Sequence, residues 1–514
     1  MPSKPHILFI ILDTLRRDHL SLYGYARSTS PALEDFAQRA LTFQRAISPA
    51  QWTIPAHASL FTGLYPAQHG LTQAFGTLSA MHPTLAEILR QADYQTVAFC
   101  NNPLLGLLDH GLQRGFEHFY NYAGATPNRP IDSARSPLRR RLAQRLRRTA
   151  RAITNRFAHN DLLFRISLNP LVVPIWTRLA NFKGDSPRAL QDFVDYWRAY
   201  HVGGAERPLF AFLNLMGAHT PYRPPRAMLE RFAPDVVRSR AAHRFVMGHN
   251  ADAAHWISPA DGPLEDWQRA ALAAFYDAEI AHQDAALGRA LADLQAQGLL
   301  DDTLIIIAAD HGEGHGDHGF FGHSFVVHHE LVHVPLLLRF PDHPLSAEGL
   351  SLCENVSTRR LFHTILDAAQ VCPPLAADDP NANVQGLSLR RTLEGRDPEG
   401  GLVFSQAVPP QNLLNVLERH KPHQIERLGL RQTRQAVLQR DDKLLLLGDR
   451  PEALYNLADD PYEAHNLLSA APQRALALQA ALSRWQRSAT AVDQVAQDFS
   501  AEVVANLRAL GYMD

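Results

Sequence analysis

The first 400 residues alternate between short apolar runs and segments with helical periodicity. Continuous apolar runs of strand length indicate strands buried on both faces, as in a parallel sheet. Such runs, with a shorter strand at Leu41–Ala46, lie at His6–Leu12, Thr96–Cys100, Arg207–Leu215, Leu304–Ala309 and Val334–Phe340. Helical spacing predicts helices over Ser30–Ala40, Pro83–Ala92 and about Glu265–Gln297. This alternation predicts an α/β fold with a mostly parallel central sheet and helices on both faces.

The pattern changes in the last third of the chain. We predict that Leu350–Ala369 is largely helical and that a link rich in proline and aspartate follows it. After about residue 400 the predicted strands become shorter, at Gly401–Phe404, Gln435–Gln439 and Lys443–Leu447. We therefore expect a main domain over residues 1–400 and a smaller C-terminal α+β subdomain over residues 401–514.

Composition excludes several classes of partner and site. The 514 residues carry 50 basic and 52 acidic side chains, so the net charge of -2 gives no general attraction to nucleic acid or acidic membranes. Cys100, Cys353 and Cys372 are too scattered for a disulfide framework or a cysteine-rich metal site. The N-terminal apolar run is too short for a membrane span and lacks a signal-cleavage pattern. We expect a cytoplasmic protein with no specific nucleic-acid partner, and the oligomeric state stays open.

A basic segment lies within an insertion that we predict over about residues 127–205. Nine arginines and no acidic residue occur between Ser133 and Phe157, and Leu138, Leu142 and Leu146 share one helical face. A basic amphipathic helix can bind an anionic surface or an acidic macromolecule. It can equally be a solvated insertion that covers a pocket.

Residues 50–63 join a candidate nucleophile to the start of a helix. Pro55 lacks an N–H and suits the first helical turn, and Gly63 suits the helix end. We expect Thr53 at the N-cap, where unpaired backbone N–H groups and the helix dipole favour an alkoxide and the anion that it attacks. An isolated Thr-x-Pro is more often a simple capping sequence.

Acidic and histidine side chains follow three of the predicted strands. Asp13 ends the first apolar run, His219 follows the strand over Arg207–Leu215, and Asp310 with His311 follows Leu304–Ala309. The carboxyl ends of parallel strands meet at the edge where α/β sheets bind ligands. Asp13, Asp310 and His311 are therefore candidate metal ligands, although Asp13 could also cap the segment after it. Further histidines, which in loops are usually solvated, follow at positions 315, 318, 323, 328, 329 and 333.

Five motifs in register resemble the sulfatase family of the alkaline phosphatase superfamily. They are ILDTLRRDHLSLYGY (11–25), TIPAH (53–57) running into LFTGLYP (60–66), HTPY (219–222), DHGE (310–313) and VPLLLR (334–339). Their order and spacing match over nearly the whole chain, and residues 453–463 and 507–512 resemble the C-terminal subdomain of the family. The resemblance implies an alkaline-phosphatase-like fold and a catalytic main domain that hydrolyses esters.

The resemblance also implies roles for individual residues. One divalent metal ion is expected to be bound by Asp13, Thr53, Asp310 and His311, with Thr53 acting as nucleophile as well. The other expected catalytic residues, which would contact the transferred group of the substrate, are His57, His219 and His323. Gly217 stands where an aspartate could help to build a second metal site, so one metal ion is expected.

Departures from the family pattern shift the expected chemistry. Sulfatases carry a cysteine or serine that matures to formylglycine, followed by an arginine at the position of His57, and Thr53 cannot mature in this way. Thr14 replaces a common aspartate and His311 replaces a frequent asparagine. Losing oxygen ligands and gaining an imidazole favours manganese or zinc over calcium or magnesium.

The sequence therefore predicts a metal-dependent, sulfatase-like hydrolase with a threonine nucleophile. The favoured substrates are small-molecule or lipid phosphate esters, in particular a diester or a phosphonate monoester. A sulfate ester hydrolase and a phospho-group transferase are the alternatives within the fold. A catalytically inactive anion-binding relative is the alternative from another class, and the intact set of Asp13, Thr53, Asp310 and His311 argues against it.

Overall fold

The computed structural model describes residues 4–124, 127–130, 181–204, 206–252, 258–341, 349–373 and 382–488, with isolated positions between 149 and 171. Most of the predicted basic insertion, including its arginines between 135 and 156, lies outside the described residues, and so does the 507–512 motif. The expected anionic surface therefore stays a prediction.

The apolar runs form one central sheet. Its eight strands in the described chain are His6–Leu12 (β1), Leu41–Ile47 (β2), Gln95–Cys100 (β3), His118–Asn121 (β4), Leu209–Leu215 (β5), Thr303–Ala308 (β6), His333–Arg339 (β9) and Ser351–Ser357 (β10); two short strands, Gly314–His315 (β7) and Phe321–Gly322 (β8), pair separately. The strand order is β10-β2-β9-β6-β1-β5-β3-β4. Among these eight strands, only β9 is antiparallel to its neighbours. The predicted mostly parallel sheet is confirmed.

Strand register brings the predicted site residues to one edge of this sheet. Ile11 of β1 pairs with Asn214 of β5 on one side and with Ala308 of β6 on the other. All three strands point the same way, so the residues that follow them emerge side by side. β1 is fully apolar and buried from Ile7 to Leu12, as expected of a central strand with helices on both faces.

Helices cover both faces of the central sheet, and further helices lie in the C-terminal part of the chain. In the described chain they are Pro31–Ala37 (α1), Thr53–Thr62 (α2), Pro66–His69 (α3), Leu85–Gln91 (α4), Pro103–Leu107 (α5), Ser186–Val202 (α6), Arg226–Phe232 (α7), Pro234–Arg238 (α8), Arg240–Ala251 (α9), Asp266–Ala296 (α10), His329–Val332 (α11), Leu361–Ala368 (α12), Val384–Leu387 (α13), Leu389–Leu393 (α14), Gln411–His420 (α15), Pro422–Arg427 (α16) and Pro472–Ser488 (α17). The long helix predicted from about Glu265 is confirmed as α10. None of the described helices is both long and apolar enough to cross a lipid bilayer.

One element was predicted wrongly. Leu350–Ala369 was expected to be largely helical, but its first part is the edge strand β10, and only Leu361–Ala368 is α-helical. Ser351 pairs with Thr42 of β2, a partner more than 300 residues away. Pairing with a distant strand overrides local propensity, which is why the sequence pattern did not reveal it.

A second, antiparallel sheet forms the C-terminal subdomain, as predicted. Its strands are Val403–Ala407 (β11), Arg434–Gln439 (β12), Asp442–Leu447 (β13) and Arg450–Asn456 (β14). This sheet joins the main domain near α2: Ala50 forms an isolated bridge with Gln406, and the Tyr65 ring packs edge-on against Phe404. The boundary at residue 400 stays a prediction.

Candidate metal and nucleophile site

Thr53 is the first residue of α2 and not its N-cap, so the predicted cap position is wrong by one residue. Trp52 occupies the N-cap with an extended backbone (φ −151°, ψ 167°), and the helix ends as predicted at Gly63, which has a φ of 73°. The Thr53 hydroxyl is consequently available for other contacts. Its Oγ1 lies 3.3 Å from His311 Nε2 and 3.4 Å from Asn102 Nδ2.

Two buried carboxylates meet at the ends of β1 and β6. Asp13 Oδ2 accepts hydrogen bonds from Asn102 Nδ2 at 2.7 Å and Asn214 Nδ2 at 3.1 Å, while Asp310 Oδ1 accepts from two backbone N–H groups. The second oxygens, Asp13 Oδ1 and Asp310 Oδ2, are buried without a hydrogen-bond donor. Burial raises the pKa of both carboxyls, and the proximity of Asp13 raises that of Asp310 further.

His311 directs a nitrogen lone pair at these carboxylates. Its Nδ1 lies 2.8 Å from the carbonyl oxygen of Gly312, which can only accept, so Nδ1 carries the proton. Nε2 lies 3.4 Å from Asp310 Oδ2 and 4.0 Å from Asp13 Oδ1. Burial lowers the pKa of His311 well below its usual value, which keeps the ring neutral. A carbonyl that fixes the tautomer in this way is the usual outer partner of a metal-binding histidine.

These groups fit a divalent cation. The ligand atoms of Asp13, Asp310 and His311 lie within 4.8 Å of one another, and the Thr53 hydroxyl adjoins them. Two adjacent buried carboxylates with unpaired oxygens are costly unless a positive charge compensates them. The donor set, with carboxylate oxygens and one imidazole nitrogen, suits transition-metal ions and zinc as well as harder cations.

Two asparagines that the sequence did not single out complete the surroundings of Asp13. Asn102 follows β3 and caps α5, and its amide reaches both Asp13 and Thr53. Asn214 lies within β5 and donates to Asp13 Oδ2. The available signals were position alone: Asn102 stands just beyond a strand's carboxyl end, and Asn214 is the one polar residue within Leu209–Leu215.

His57 lies one helical turn after Thr53 and is fully buried. Its Nδ1 lies 2.9 Å from the Thr53 carbonyl oxygen and 3.5 Å from Asp310 Oδ2, and its Nε2 lies 3.4 Å from Asn214 Nδ2. Both ring nitrogens therefore face protein groups of the site. The substrate contact predicted for His57 stays a prediction.

His219 and His323 lie together beside His311. The His323 ring centroid lies 4.5 Å from that of His311 and 5.3 Å from that of His219. His323 Nδ1 lies 2.9 Å from Glu313 Oε1, and this carboxylate raises the pKa of His323 although burial opposes it. Burial and the nearby His323 lower the pKa of His219 to about 4. The sequence pointed to both histidines, but it gave no role to Glu313, the last residue of the DHGE motif.

The other histidines of this region are engaged elsewhere. His315 Nε2 lies 2.8 Å from the Tyr222 hydroxyl. His318 approaches His328 and Glu463 closely enough to suggest a second metal site. However, His318 Nδ1 faces a Glu330 carboxylate oxygen at 3.0 Å and its Nε2 faces a backbone carbonyl at 3.1 Å. Both partners only accept, so both nitrogens are protonated and neither offers a lone pair.

Comparison of the sequence with known proteins identifies the family of this chain. The Sulfatase family matches residues 5–371. The arylsulfatase of Clostridium perfringens (strain 13 / Type A) is 23% identical over 483 residues, which cover 91% of this chain and 90% of the relative.

Solved structures share the fold. The phosphonate monoester hydrolase of Agrobacterium radiobacter has a TM-score of 0.65 at 22% identity. The alignment covers 95% of this chain and 96% of the hydrolase chain. A protein solved in complex with its substrate D-glucosamine-2-N,6-O-disulfate has a TM-score of 0.66 at 17% identity. The alignment covers 96% of this chain and 100% of that protein's chain. The family match spans most of the chain, including Asp13, Thr53, Asp310 and His311. This chain belongs to the sulfatase family, a group of ester hydrolases within the alkaline phosphatase superfamily.

Proposed function

We propose that this protein hydrolyses phosphoric ester bonds, with phosphate diesters and phosphonate monoesters as the preferred substrates and Thr53 as the nucleophile. The observation that carries the proposal is the single hydroxyl of Thr53, whose Oγ1 lies 3.3 Å from His311 Nε2. The hydrated formylglycine of sulfatases has a second hydroxyl and expels sulfate by collapsing to an aldehyde. Thr53 lacks that second hydroxyl. A group transferred to Thr53 can therefore be released only when water or another nucleophile attacks that group.

The reaction has two displacement steps at phosphorus. Thr53 Oγ1 loses its proton to solvent and attacks phosphorus, the phosphorus–oxygen bond to the leaving alcohol breaks, and a phosphothreonine forms. Water then loses a proton as it attacks the same phosphorus, and the bond to Thr53 Oγ1 breaks. The released Thr53 oxygen takes up a proton, which regenerates the hydroxyl. An acceptor alcohol in place of water would make the protein a transferase.

The ligand set proposed for one divalent cation is Asp13, Thr53, Asp310 and His311, with manganese or zinc favoured over calcium or magnesium. When bound, this cation supplies positive charge beside the nucleophile and lowers the pKa of the hydroxyl. Asn102 and Asn214 fix Asp13 through its Oδ2, and His57 lies against Asp310. We therefore assign His57 a positioning role, in place of the substrate contact expected from the sequence.

His323 and His219 divide the acid and base roles. Glu313 stabilises a proton on His323, whose Nε2 can donate it to the leaving oxygen. His219 Nδ1 faces the carbonyl oxygen of Thr220 and so carries the proton of the neutral ring, which leaves Nε2 able to accept a proton from the attacking water. Neighbouring groups whose environments push their pKa values apart are typical of acid and base partners.

Sulfate ester hydrolysis is the second candidate function. The similar protein from Clostridium perfringens is named an arylsulfatase, and a structural neighbour was solved with a disulfated glucosamine as its substrate. The buried cationic and neutral histidines can bind sulfate oxygens as well as phosphate oxygens. A sulfated Thr53 would have to be released by attack of water on sulfur.

Trapping the intermediate tests the proposal. After rapid quenching with an aryl phosphonate monoester, we expect the phosphonyl group on Thr53, detected by peptide mass spectrometry. Thr53→Ala should lose the adduct and turnover while keeping its fold, measured by circular dichroism. Thr62→Ala is the matched control, because Thr62 lies at the other end of α2 and its hydroxyl donates to the Ala58 carbonyl oxygen. Full activity in Thr53→Ala would refute the proposed nucleophile.

A further inference from the structure

The loop that carries His219 is fixed at two points by α10. The Gly217 N–H donates to Gln283 Oε1 at 2.6 Å, and the Arg223 N–H donates to Glu279 Oε1 at 2.6 Å. Glu279 and Gln283 are four residues apart, so they lie on the same face of the helix. A Cβ atom on residue 217 would lie 2.3 Å from Gln283 Oε1, so this close approach requires glycine. His219 therefore lies between two anchors on one helix.

Lys183 reaches one of these anchors from a distant part of the chain. Its Nζ donates to Glu279 Oε1 at 2.9 Å and to the Pro221 carbonyl oxygen at 3.2 Å. The Lys183 and Glu279 side chains are 17% and 7% exposed, so salt and water screen this ion pair only weakly. One Glu279 oxygen thus accepts from both Lys183 and the Arg223 N–H. Lys183 also fixes the backbone two residues after His219.

Phe182 connects Lys183 to the ring of His219. The rings of Phe182 and His219 meet edge-on, with centroids 5.8 Å apart and planes at 61°. On the other side of Phe182, Asn181 Nδ2 donates to the Tyr122 carbonyl oxygen at 3.2 Å. Phe182 is therefore held by a neighbour on each side, and its position depends on the Lys183 ion pair. Lys183 thus supports both the backbone that follows His219 and a ring that packs against it.

We propose that Lys183 is a positioning residue, which holds His219 in the geometry needed to release the transferred group from Thr53. This role rests on the proposed function, in which His219 Nε2 accepts a proton from the attacking water. In that step the water oxygen bonds to phosphorus, the bond to Thr53 Oγ1 breaks, and the Thr53 oxygen takes up a proton. Lys183 acts through Pro221 and Phe182 and needs no contact with the substrate. Because misplacing a catalytic group by about 1 Å can slow a reaction about 100-fold, the loss of Lys183 should slow this release step.

Rapid-quench kinetics with an aryl phosphonate monoester test this role, because they follow formation and decay of the Thr53 adduct separately. Lys183→Met keeps a long side chain but removes the donors. We expect the adduct to form at nearly the wild-type rate and to decay at least about tenfold more slowly, so that it accumulates. Glu279→Gln removes the charge partner of Lys183 and keeps an acceptor for the Arg223 N–H, so it should slow decay in the same way. Glu279→Gln decides the test if circular dichroism shows that Lys183→Met is not folded.

Lys421→Met is the matched control. Lys421 Nζ likewise donates to a proline carbonyl oxygen, that of Pro259 at 3.1 Å, and it pairs with Asp261 at 3.0 Å. None of these three residues belongs to the proposed site, so the adduct should form and decay as in the wild type. A double variant gives a second check. His219→Ala slows decay by itself, and adding Lys183→Met should slow it little further, because Lys183 acts through His219.

A wild-type decay rate in Lys183→Met, or in Glu279→Gln should Lys183→Met not fold, would overturn the positioning role. Equal slowing of adduct formation and decay would overturn it too, since that result indicates a general structural role. Independent slowing by Lys183→Met and His219→Ala in the double variant would show that Lys183 does not act through His219. Absence of a Thr53 adduct from the wild type and from all variants would instead refute the proposed function.

Discussion

Glu313 Oε1 lies 2.9 Å from His323 Nδ1, and this buried contact makes the pKa of His323 differ from that of His219. With its Nδ1 on a carboxylate, His323 holds a proton more tightly than an ordinary histidine. His219, 5.3 Å away between ring centroids, has a pKa lowered to about 4. In the proposed mechanism, His323 therefore donates a proton and His219 accepts one.

Leaving-group dependence tests the donor role of His323. Because an alkoxide needs a proton as it departs and a nitrophenolate does not, His323→Ala should slow cleavage of an alkyl ester by about 10²–10⁴-fold and that of a 4-nitrophenyl ester far less. Steady-state kcat for the two substrates gives the comparison. Equal losses for both would indicate that His323 only binds the transferred group.

The pH profile tests the contribution of Glu313. Replacing Glu313 by Gln removes the anion that raises the pKa of His323, so the pKa falls. The alkaline limb of kcat for the alkyl ester should move to lower pH in Glu313→Gln. Glu330→Gln is the matched control, since Glu330 pairs with His318. If the alkaline limb stays at the same pH, Glu313 does not set the pKa of the proton donor.

Metal content tests the ligand set. We expect about one ion per chain in the purified protein, and at least about tenfold less in Asp310→Asn, which removes the charge of a ligand, and in His311→Ala, which removes a ligand altogether. Elemental analysis by mass spectrometry is the measurement. Asp284→Asn is a control with a comparably buried carboxylate, which accepts from the backbone N–H groups of Ala32 and Leu33. Wild-type metal content in the ligand variants would show that the site is wrongly assigned.

Sequence reasoning found the residues that follow strands and missed those that support them. Asp13, Asp310 and His311 could be predicted to converge because parallel strands end at one edge. Asn102 and Asn214 could not, since an asparagine after or within a strand has no distinctive spacing. Thr53 was placed one residue too early in the helix, because whether Trp52 or Thr53 takes the extended N-cap backbone depends on the surrounding fold.

The fold shows the same division. The apolar runs predicted the central strands, because continuous hydrophobicity reflects burial on both faces. Ser351–Ser357 was expected to be helical, and its burial pattern shows why. Its first four residues are exposed or half-buried, so they carry no strong apolar signal, and pairing with β2 alone defines the strand.

Stability should depend on pH through His318. Contacts with Glu330 and nearby Glu463 raise the pKa of His318 to about 9 although burial opposes this. A raised folded-state pKa stabilises the protein fully below about pH 6.5, and the contribution is lost as pH rises through about 9. His318→Gln should lower the free energy of unfolding by about 1 kcal/mol at pH 6 and by less at pH 10. Urea denaturation at both pH values measures this, and equal differences would contradict the assignment.

The most direct test of the central claim is a comparison of kcat/KM for matched 4-nitrophenyl esters with the metal-loaded enzyme. One nucleophilic hydroxyl at Thr53 predicts that a phosphate diester and a phosphonate monoester turn over faster than the aryl sulfate, by at least about tenfold or 1.4 kcal/mol in transition-state stabilisation. All these activities should disappear in Thr53→Ala. Faster turnover of the aryl sulfate than of both phosphoryl esters would contradict the claim.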